Sequence, residues 1–513
     1  MSATAAKVKA LVFDLGGVLL NWDRNKASTL SSGQFLNIMN STAWHDLDRG
    51  HISLELACIE FSKILSLNAR IIVKSLEEAQ LSLTVNTSLV QTIHELQASN
   101  MNLKFYVMSN ISKEHFQIVR GLNLPWDVFE LAFASGVEGM RKPDLCSFEY
   151  LVKKSGFTPD QMLMIDDTVE NICAARSIGM HGMLVDNQFV RSGGALKNMF
   201  LDPGSRAMAF LRSRAGKHHC TVEGHGDVVL KDNFAQLLIW ELTGDANVVY
   251  LRWPSGKVTG HRGNASREVN GISLDRKDIK NGLWNYFSEA PVLTTVEFPP
   301  DADTTSTAYL SLPSEYLDDV ADANIVLHAM AENVDRDGIM QTYFTNERPR
   351  TTPEVCCNIL RMFHKFGRAS DPRIVKTERW VVDCLRNRAC LDGNRHYSTS
   401  ETFLYFVSRL YAICSTPLKA ELEIIQNELE NRLNMPINPL GLAFRLAACQ
   451  FAGIEPALYQ RDLERLLSLQ EEDGGWPAGH FCCMGRTGAR IGNRGLTTAL
   501  ALKIIKHEKE KAR

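Results

Sequence analysis

Phe298-Pro299-Pro300-Asp301-Ala302-Asp303-Thr304-Thr305-Ser306-Thr307-Ala308 is the stretch around which the chain is organised. Two prolines stop whatever precedes them, and an acidic pair follows. Asp303 stands where an N-cap should, ahead of a helix expected to run from Thr304 to about Leu312. Two carboxyls two residues apart at a helix start can share one site. Burial and mutual repulsion then raise the pKa of one of them and keep it protonated near neutral pH. A protonated carboxylic acid in a dry pocket can protonate something as weakly basic as an alkene. On spacing alone, an ordinary capped helix is the competing reading.

The sequence on either side of this stretch is helical. Phe234-Ala235-Gln236-Leu237-Leu238-Ile239-Trp240 carries an apolar face, and amphipathic segments follow at 318–332, 353–367, 373–386, 400–413, 416–433, 440–453, 459–470 and 495–507. Clusters of Pro, Gly, Asn and Asp punctuate them, as expected of antiparallel helices joined by short loops. The pattern predicts an all-α domain with little strand, arranged as an α/α-barrel. Near its end stands Gln470-Glu471-Glu472-Asp473-Gly474-Gly475-Trp476.

Asp301-Ala302-Asp303-Thr304-Thr305 resembles the DxDTT form of the acid motif of class II terpene cyclases, and Gln470 to Trp476 resembles the QW repeat of the same group. The resemblance implies that Asp303, with Asp301 beside it, protonates the terminal double bond of a polyprene. Trp240, Trp253, Trp284, Tyr286, Phe287, Tyr397, Phe403 and Tyr405 supply aromatic faces able to stabilise a cation. Arg395, Arg486, Arg490 and Arg494 lie in stretches rich in Gly, Ser and Asn, and are candidates for gripping a diphosphate.

The first two hundred residues read differently. Lys9-Ala10-Leu11-Val12-Phe13 is a short apolar strand broken by Asp14-Leu15-Gly16-Gly17. A second strand, Leu103 to Met108, ends in Ser109-Asn110. Lys142 follows, and Met162 to Ile165 runs into Asp166-Asp167-Thr168-Val169-Glu170. A strand ending in an acid sets a carboxylate at the carboxyl edge of a parallel sheet, where α/β folds hold their ligands. The order strand–acid, strand–Ser, Lys, strand–Asp-Asp resembles the haloacid-dehalogenase (HAD) superfamily.

That resemblance implies Asp14 as the nucleophile toward phosphorus, Ser109 and Asn110 on the phosphate, and Lys142 neutralising charge. It implies a Mg²⁺ site built from Asp14, the Gly16 carbonyl, Asp166 and Asp167. Glu170 extends the acidic run, which also reads as a DDxxE metal motif, but here it follows a strand rather than lying mid-helix. A helical cap is expected over about 21–98. One departure matters: the position two residues after the nucleophile, where HAD phosphatases carry a leaving-group acid, is Gly16. General-acid help is worth roughly 10²–10⁴ in rate. A diphosphate cleaved at its terminal phosphorus needs that help less than an alkyl monophosphate does.

Bulk numbers agree with two or three folded domains. The chain has 513 residues, 45% hydrophobic and 22% charged, with a formal net charge of -3, which argues against a nucleic-acid partner. The twelve cysteines form no CxxC, there is no secretory signal and no apolar run of membrane-spanning length, so a reducing cytoplasmic setting is expected. An oligomer is compatible with the sequence. The polar stretch around Arg212 to His219 is read as a solvated linker, placing an α/β HAD-like (Rossmannoid) domain at 1–215 and an all-α class II cyclase-like barrel at 216–513. The pairing resembles the HAD-like terpene cyclases that make drimane sesquiterpenes. It implies farnesyl diphosphate as the isoprenoid diphosphate substrate, cyclised at Asp303 and dephosphorylated at Asp14. Two alternatives stay open: a cyclase with an inactive first domain, and a phosphatase whose helical half only binds a partner.

Overall fold

The computed structural model describes residues 7–21, 29–99, 102–185, 192–260 and 276–511, and the chain forms two compact units, Met1–Leu201 and Asp202–Arg513. The first unit is built on five strands: β1 (Ala10–Phe13), β2 (Lys104–Ser109), β3 (Phe129–Ala134), β4 (Met162–Asp166) and β5 (His181–Leu184). They form one parallel sheet in the order β3-β2-β1-β4-β5. β1 is central and buried on both faces, which is why it reads as an unbroken apolar run rather than an alternating one. Phe13 lies opposite both Val107 and Ile165, so Asp14, Ser109 and Asp166 emerge at one edge of the sheet.

Four helices, Ser32–Met39, Thr42–Asp48, Leu54–Leu65 and Ala69–Leu81, enclose a separate small core that includes Phe35, Ile38, Phe61 and Ile72. These helices lie within the stretch expected to form a cap, over a shorter span than 21–98. The following helix, Thr87–Ser99, instead buries Leu89, Ile93 and Leu96 against the main sheet. Residues 22–28 of the expected cap lie outside the described residues.

In the second unit six helices form a closed ring: α1 (Asn233–Thr243), α2 (Ala302–Ser311), α3 (Pro353–Lys365), α4 (Ser400–Ile413), α5 (Pro439–Ala452) and α6 (Arg494–Lys511). Each packs on the next, and α6 packs back on α1. An outer set covers them. Pro203–Ser213 lies on α6, Ala323–Glu332 and Val375–Arg386 on α3, Leu418–Leu422 and Ile425–Glu430 on α4, and Pro456–Ser468 on α5. Every residue of α2 is buried although its sequence, ADTTSTAYLS, is largely polar. Small hydroxyl side chains let its neighbours approach closely and are satisfied locally: Thr304 Oγ1 donates to Asp301 Oδ2 (2.9 Å) and Ser306 Oγ to the Asp303 carbonyl (3.1 Å).

The division between the units falls earlier than residue 215. Helix Pro203–Ser213 buries Ala207, Phe210 and Leu211 in the core of the second unit, so it belongs there. His218 is likewise no linker residue: it is buried, with Nε2 2.9 Å from the Leu211 carbonyl. The second unit also holds a four-stranded sheet that the helical pattern did not announce. Its strands, His480–Cys483, Arg490–Gly492, Cys220–Val222 and His225–Leu230, pair in that order.

Gln470 and Trp476 brace two helix ends. Gln470 Nε2 donates to the carbonyls of Gly474 (2.9 Å) and Pro203 (3.0 Å). The fully buried indole of Trp476 donates to the Leu466 carbonyl (2.7 Å). Gly474 at φ +87° is required at this turn, because a Cβ there would lie 2.5 Å from the Arg206 carbonyl oxygen. Trp476→Ala should remove about 3–5 kcal/mol from the second unit through the cavity and the lost bond. Urea denaturation should show that unit melting at lower denaturant while the first unit's transition stays in place.

Candidate active sites

In the first unit the sheet edge gathers Asp14, Asp166 and Asp167, whose carboxylate oxygens all lie within 4.8 Å of one another. Lys142 reaches into them, its Nζ 3.0 Å from Asp14 Oδ1 and 2.6 Å from Asp166 Oδ2. Burial pushes the Asp14 carboxyl up to about 7 against the pull of Lys142. Burial also works against the Lys142 charge, but Asp14 and Asp166 outweigh it and the ammonium is favoured. Asp166 accepts further bonds from Asn171 Nδ2 (3.0 and 3.1 Å) and the Thr168 N–H (2.9 Å). Gly17, at φ +73°, makes room for Asp167: a Cβ there would sit 2.1 Å from Asp167 Oδ2. Three carboxyl groups face one ammonium, and their hard oxygen donors suit a divalent cation.

Not every expected residue takes its expected place here. Asn110 holds Lys142 rather than standing free for a phosphate. Its Nδ2 donates to the Lys142 carbonyl and its Oδ1 accepts the Lys142 N–H, both at 2.8 Å. Glu170 is exposed in the first turn of helix Val169–Ser177 and lies outside the acidic cluster, because the helix turns its side chain to solvent. Ser109 is buried at the end of β2. At Gly16 a Cβ would meet nothing within 4 Å.

In the second unit a cavity of about 600 Å³ opens where the ring helices begin. Phe234, Asp301, Asp303, Arg350, Tyr397 and Ile491, which line it, stand at or just before the starts of α1, α2, α3, α4 and α6. The N-cap of α2 is Asp301, not Asp303. Asp301 Oδ1 accepts the Thr304 N–H (2.7 Å), which frees Asp303, two residues further in, to point elsewhere. Asp303 Oδ1 accepts from Asn358 Nδ2 (2.8 Å), and its Oδ2 accepts from the Tyr397 hydroxyl. Both carboxyls are buried. Burial and then the neighbouring Asp303 push Asp301 up to about 7. Burial also raises Asp303, while Tyr397 and Asn358 pull it back. The site thus keeps a proton on a carboxyl at rest and stabilises the anion left when that proton departs.

Aromatic rings wall the cavity: Tyr286, Phe287, Phe298 and Tyr343 pack edge-on or tilted in one cluster. Of the four arginines expected to hold a diphosphate, Arg395 and Arg486 line the cavity. Arg490 and Arg494 do not, because carboxylates claim them. Arg490 pairs with Glu223 (2.9 Å), and Arg494 is locked between Glu471 and Asp473 in the QW turn. Sequence reasoning missed Arg348 and Arg350, which line the cavity from the loop before α3. Arg348 lies over Phe298 (5.1 Å) and Arg350 over Tyr343 (5.0 Å). Among the described residues none of Arg348, Arg350, Arg395 and Arg486 is in an ion pair. Arg348 and Arg350 flank Pro349 among Glu and Thr, a setting that offered no local signal.

The comparisons with known proteins follow this division. Residues 8–179 match the haloacid dehalogenase-like hydrolase model, and residues 204–366 match the sesquiterpene cyclase astC-like C-terminal domain. The chain is 36% identical over 502 residues to the drimenol cyclase drtB of Aspergillus calidoustus, covering 97% of this chain and 88% of that one. The chain belongs to the HAD-containing family of drimane-type terpene cyclases. Its first unit is also similar to the sesquiterpene phosphatase astK of Aspergillus oryzae, 30% identical over 175 residues, covering 34% of this chain and 88% of that one. A HAD-like hydrolase from Porphyromonas gingivalis aligns over 38% of this chain and 99% of its own, at 21% identity and a TM-score of 0.32. No helix among the described residues is long and apolar enough to cross a membrane.

The cyclase half needs its acid protonated, so cyclisation should fall on the alkaline side of the pH profile. Tyr397→Phe removes a donor to the carboxylate, which raises the Asp303 pKa further. The alkaline limb should therefore move to higher pH, while the plateau rate drops about 10- to 100-fold as the acid weakens. A pH series of product formation for the two proteins checks both directions.

Proposed function

We propose that this enzyme cyclises farnesyl diphosphate to a bicyclic drimane-type diphosphate in its second unit, and removes the diphosphate in its first to give drimenol. The observation that carries the cyclase half is a buried carboxyl pair in an aromatic-walled cavity, with four unpaired arginines on the same cavity. Its volume of about 600 Å³ suits a small molecule bound whole. The arginines hold the anionic end by charge-assisted bonds and so orient the chain. Asp303 gives its proton to the distal double bond, with the Tyr397 and Asn358 donors stabilising the carboxylate that forms. Two ring closures follow, and the aromatic faces attenuate the travelling charge by about 0.5–2 kcal/mol each. Loss of a proton ends the sequence, and the C–O bond to the diphosphate stays intact throughout.

In the first unit Asp14 is the nucleophile toward phosphorus. Lys142, oriented by Asn110, balances the charge of Asp14 and of the incoming phosphoryl group. Asp14, Asp166 and Asp167 are the residues that would hold Mg²⁺, which when bound supplies charge neutralisation for the phosphoryl oxygens. The similarity of this unit to a sesquiterpene phosphatase supports the assignment. Gly16 bears on its extent: cleavage at the terminal phosphorus expels a phosphate monoester, whereas the second cleavage expels an alkoxide with no acid at that position to protonate it.

Mass spectrometry of products from farnesyl diphosphate and Mg²⁺ tests both halves. The intact chain should give bicyclic alcohol. Asp303→Ala should give no cyclic product, and bicyclic alcohol surviving that change would defeat the acid assignment. Asp14→Ala should cyclise normally and accumulate bicyclic diphosphate; an unchanged alcohol yield would remove the first unit from the reaction.

The open space at Gly16 permits a second experiment. Gly16→Asp should shorten the lifetime of any bicyclic monophosphate seen in a time course, without changing the rate at which diphosphate disappears.

A further inference from the structure

Glu354 is a carboxyl the reaction does not use, yet it is completely buried, in the first turn of α3 one turn before Asn358. Among the described residues no lysine or arginine pairs with it, and burial holds its carboxyl up at about 7. It does not line the cavity. Both of its carboxyl oxygens lie 2.9 Å from a single nitrogen, Asn394 Nδ2. A buried carboxyl without a counter-ion is costly, so its place needs a physical reason.

The reason lies in what Asn394 does with its other end. Asn394 Oδ1 accepts the backbone N–H groups of His396 (2.9 Å) and Tyr397 (3.0 Å), and the Asn394 N–H donates to the Tyr397 carbonyl (2.7 Å). This closes a tight turn. Gly393, at φ +71°, is pressed against it, since a Cβ there would lie 2.6 Å from the Tyr397 carbonyl oxygen. The Cys483 N–H tethers the turn from the strand beside it, through the His396 carbonyl (2.8 Å). The turn delivers the Tyr397 hydroxyl to Asp303 and places Arg395 and His396 on the cavity. The path from Glu354 to the acid therefore runs through Asn394, the turn backbone and the Tyr397 ring.

We propose that Glu354 is a positioning residue of the acid site, one that acts through Asn394 to aim the Tyr397 phenol at Asp303 and never touches substrate. It works as a hydrogen-bonding anchor, not as a charge. Breaking the anchor frees the Asn394 amide, loosens the turn and withdraws the donor that makes Asp303 a competent acid. The proposal rests on Asp303 being the acid, so its test carries that reading as an internal control.

The experiment measures the cyclisation turnover of the full chain on farnesyl diphosphate for Glu354→Leu, Glu354→Gln, Asn394→Ala, Tyr397→Phe and the Glu354→Leu/Tyr397→Phe pair, with Asp303→Ala as the blank. Wild-type turnover no higher than the blank would refute the acid reading itself. Given wild-type turnover above the blank, Glu354→Leu and Asn394→Ala should each fall about 10- to 100-fold, to the level of Tyr397→Phe. The double variant should be no slower than Tyr397→Phe alone, within about twofold, since the lost coupling is shared. Glu354→Gln keeps the shape and an acceptor for Asn394, and should stay within about threefold of wild type. Three results overturn the proposal: full activity in Glu354→Leu, losses that multiply in the double variant, or Glu354→Gln as slow as Glu354→Leu. Should Glu354→Leu not fold, Asn394→Ala decides alone, because that residue is partly exposed and small, and its full activity would equally refute the anchor.

Discussion

A carboxyl that is to protonate a carbon–carbon double bond must hold its proton at rest and leave a stable anion behind. The two requirements oppose each other. Burial answers the first, since desolvation penalises the charged form of Asp301 and Asp303 alike. Directed donors answer the second, and here they come from two other ring segments, Asn358 on α3 and Tyr397 just before α4. The barrel makes this arrangement feasible. Cavity-lining residues stand at the starts of five of its six inner helices, so the positive ends of those helices face the cavity. At the opposite end of α2 a cation meets the helix carbonyls: Lys365 Nζ donates to those of Tyr309 (3.0 Å) and Leu310 (2.9 Å). Arg361 and Arg409 clasp Glu241 at the end of α1, and although burial raises that carboxyl, the two arginines hold it down to about 2.

The two acid sites surround their buried carboxyls differently. In the first unit Lys142 is bonded to two of three clustered carboxyls, and its buried ammonium pulls against the burial that raises Asp14. In the second unit no lysine or arginine of the described residues forms an ion pair with Asp301 or Asp303, and the proton stays. Among the described residues the cavity arginines form no ion pair with a carboxylate, which leaves their charge for an anion brought in by substrate.

Much of this was written locally in the chain. Each inner helix is preceded by Asp232, Asp301, Thr352, Thr399, Asn438 or Asn493, residue types that favour helix starts, and the barrel helices were legible within a few residues. The strand–acid pattern of the first unit was legible for the same reason: one short apolar run, one carboxylate at its end. What sequence could not show is pairing at a distance. Tyr397 lies 94 positions from Asp303 and Asn358 lies 55 away, and neither sits in a motif of its own. The four-stranded sheet joins segments near 220 and 490 through strands of three to six residues, too short for alternation to register. Arg490 and Arg494 looked available because Glu223, more than two hundred residues away, and the Glu471–Asp473 turn could not be seen to claim them.

Adjacent glycines after Asp14 carry different kinds of information, and only the structure separates them. Gly17 is dictated by geometry, since its positive φ and the carboxylate of Asp167 above it leave no place for a Cβ. Gly16 is under neither constraint: its φ is ordinary and the space around it is open. A side chain would fit there, so the lack of an acid reflects no steric limit in the fold. A leaving group that is itself a phosphate needs no proton to depart, whereas an alkoxide does. The residue at position 16 therefore bears on which phosphorus–oxygen bond the first unit breaks readily. The diphosphate that class II chemistry leaves intact is a substrate whose first cleavage places no demand on the missing acid.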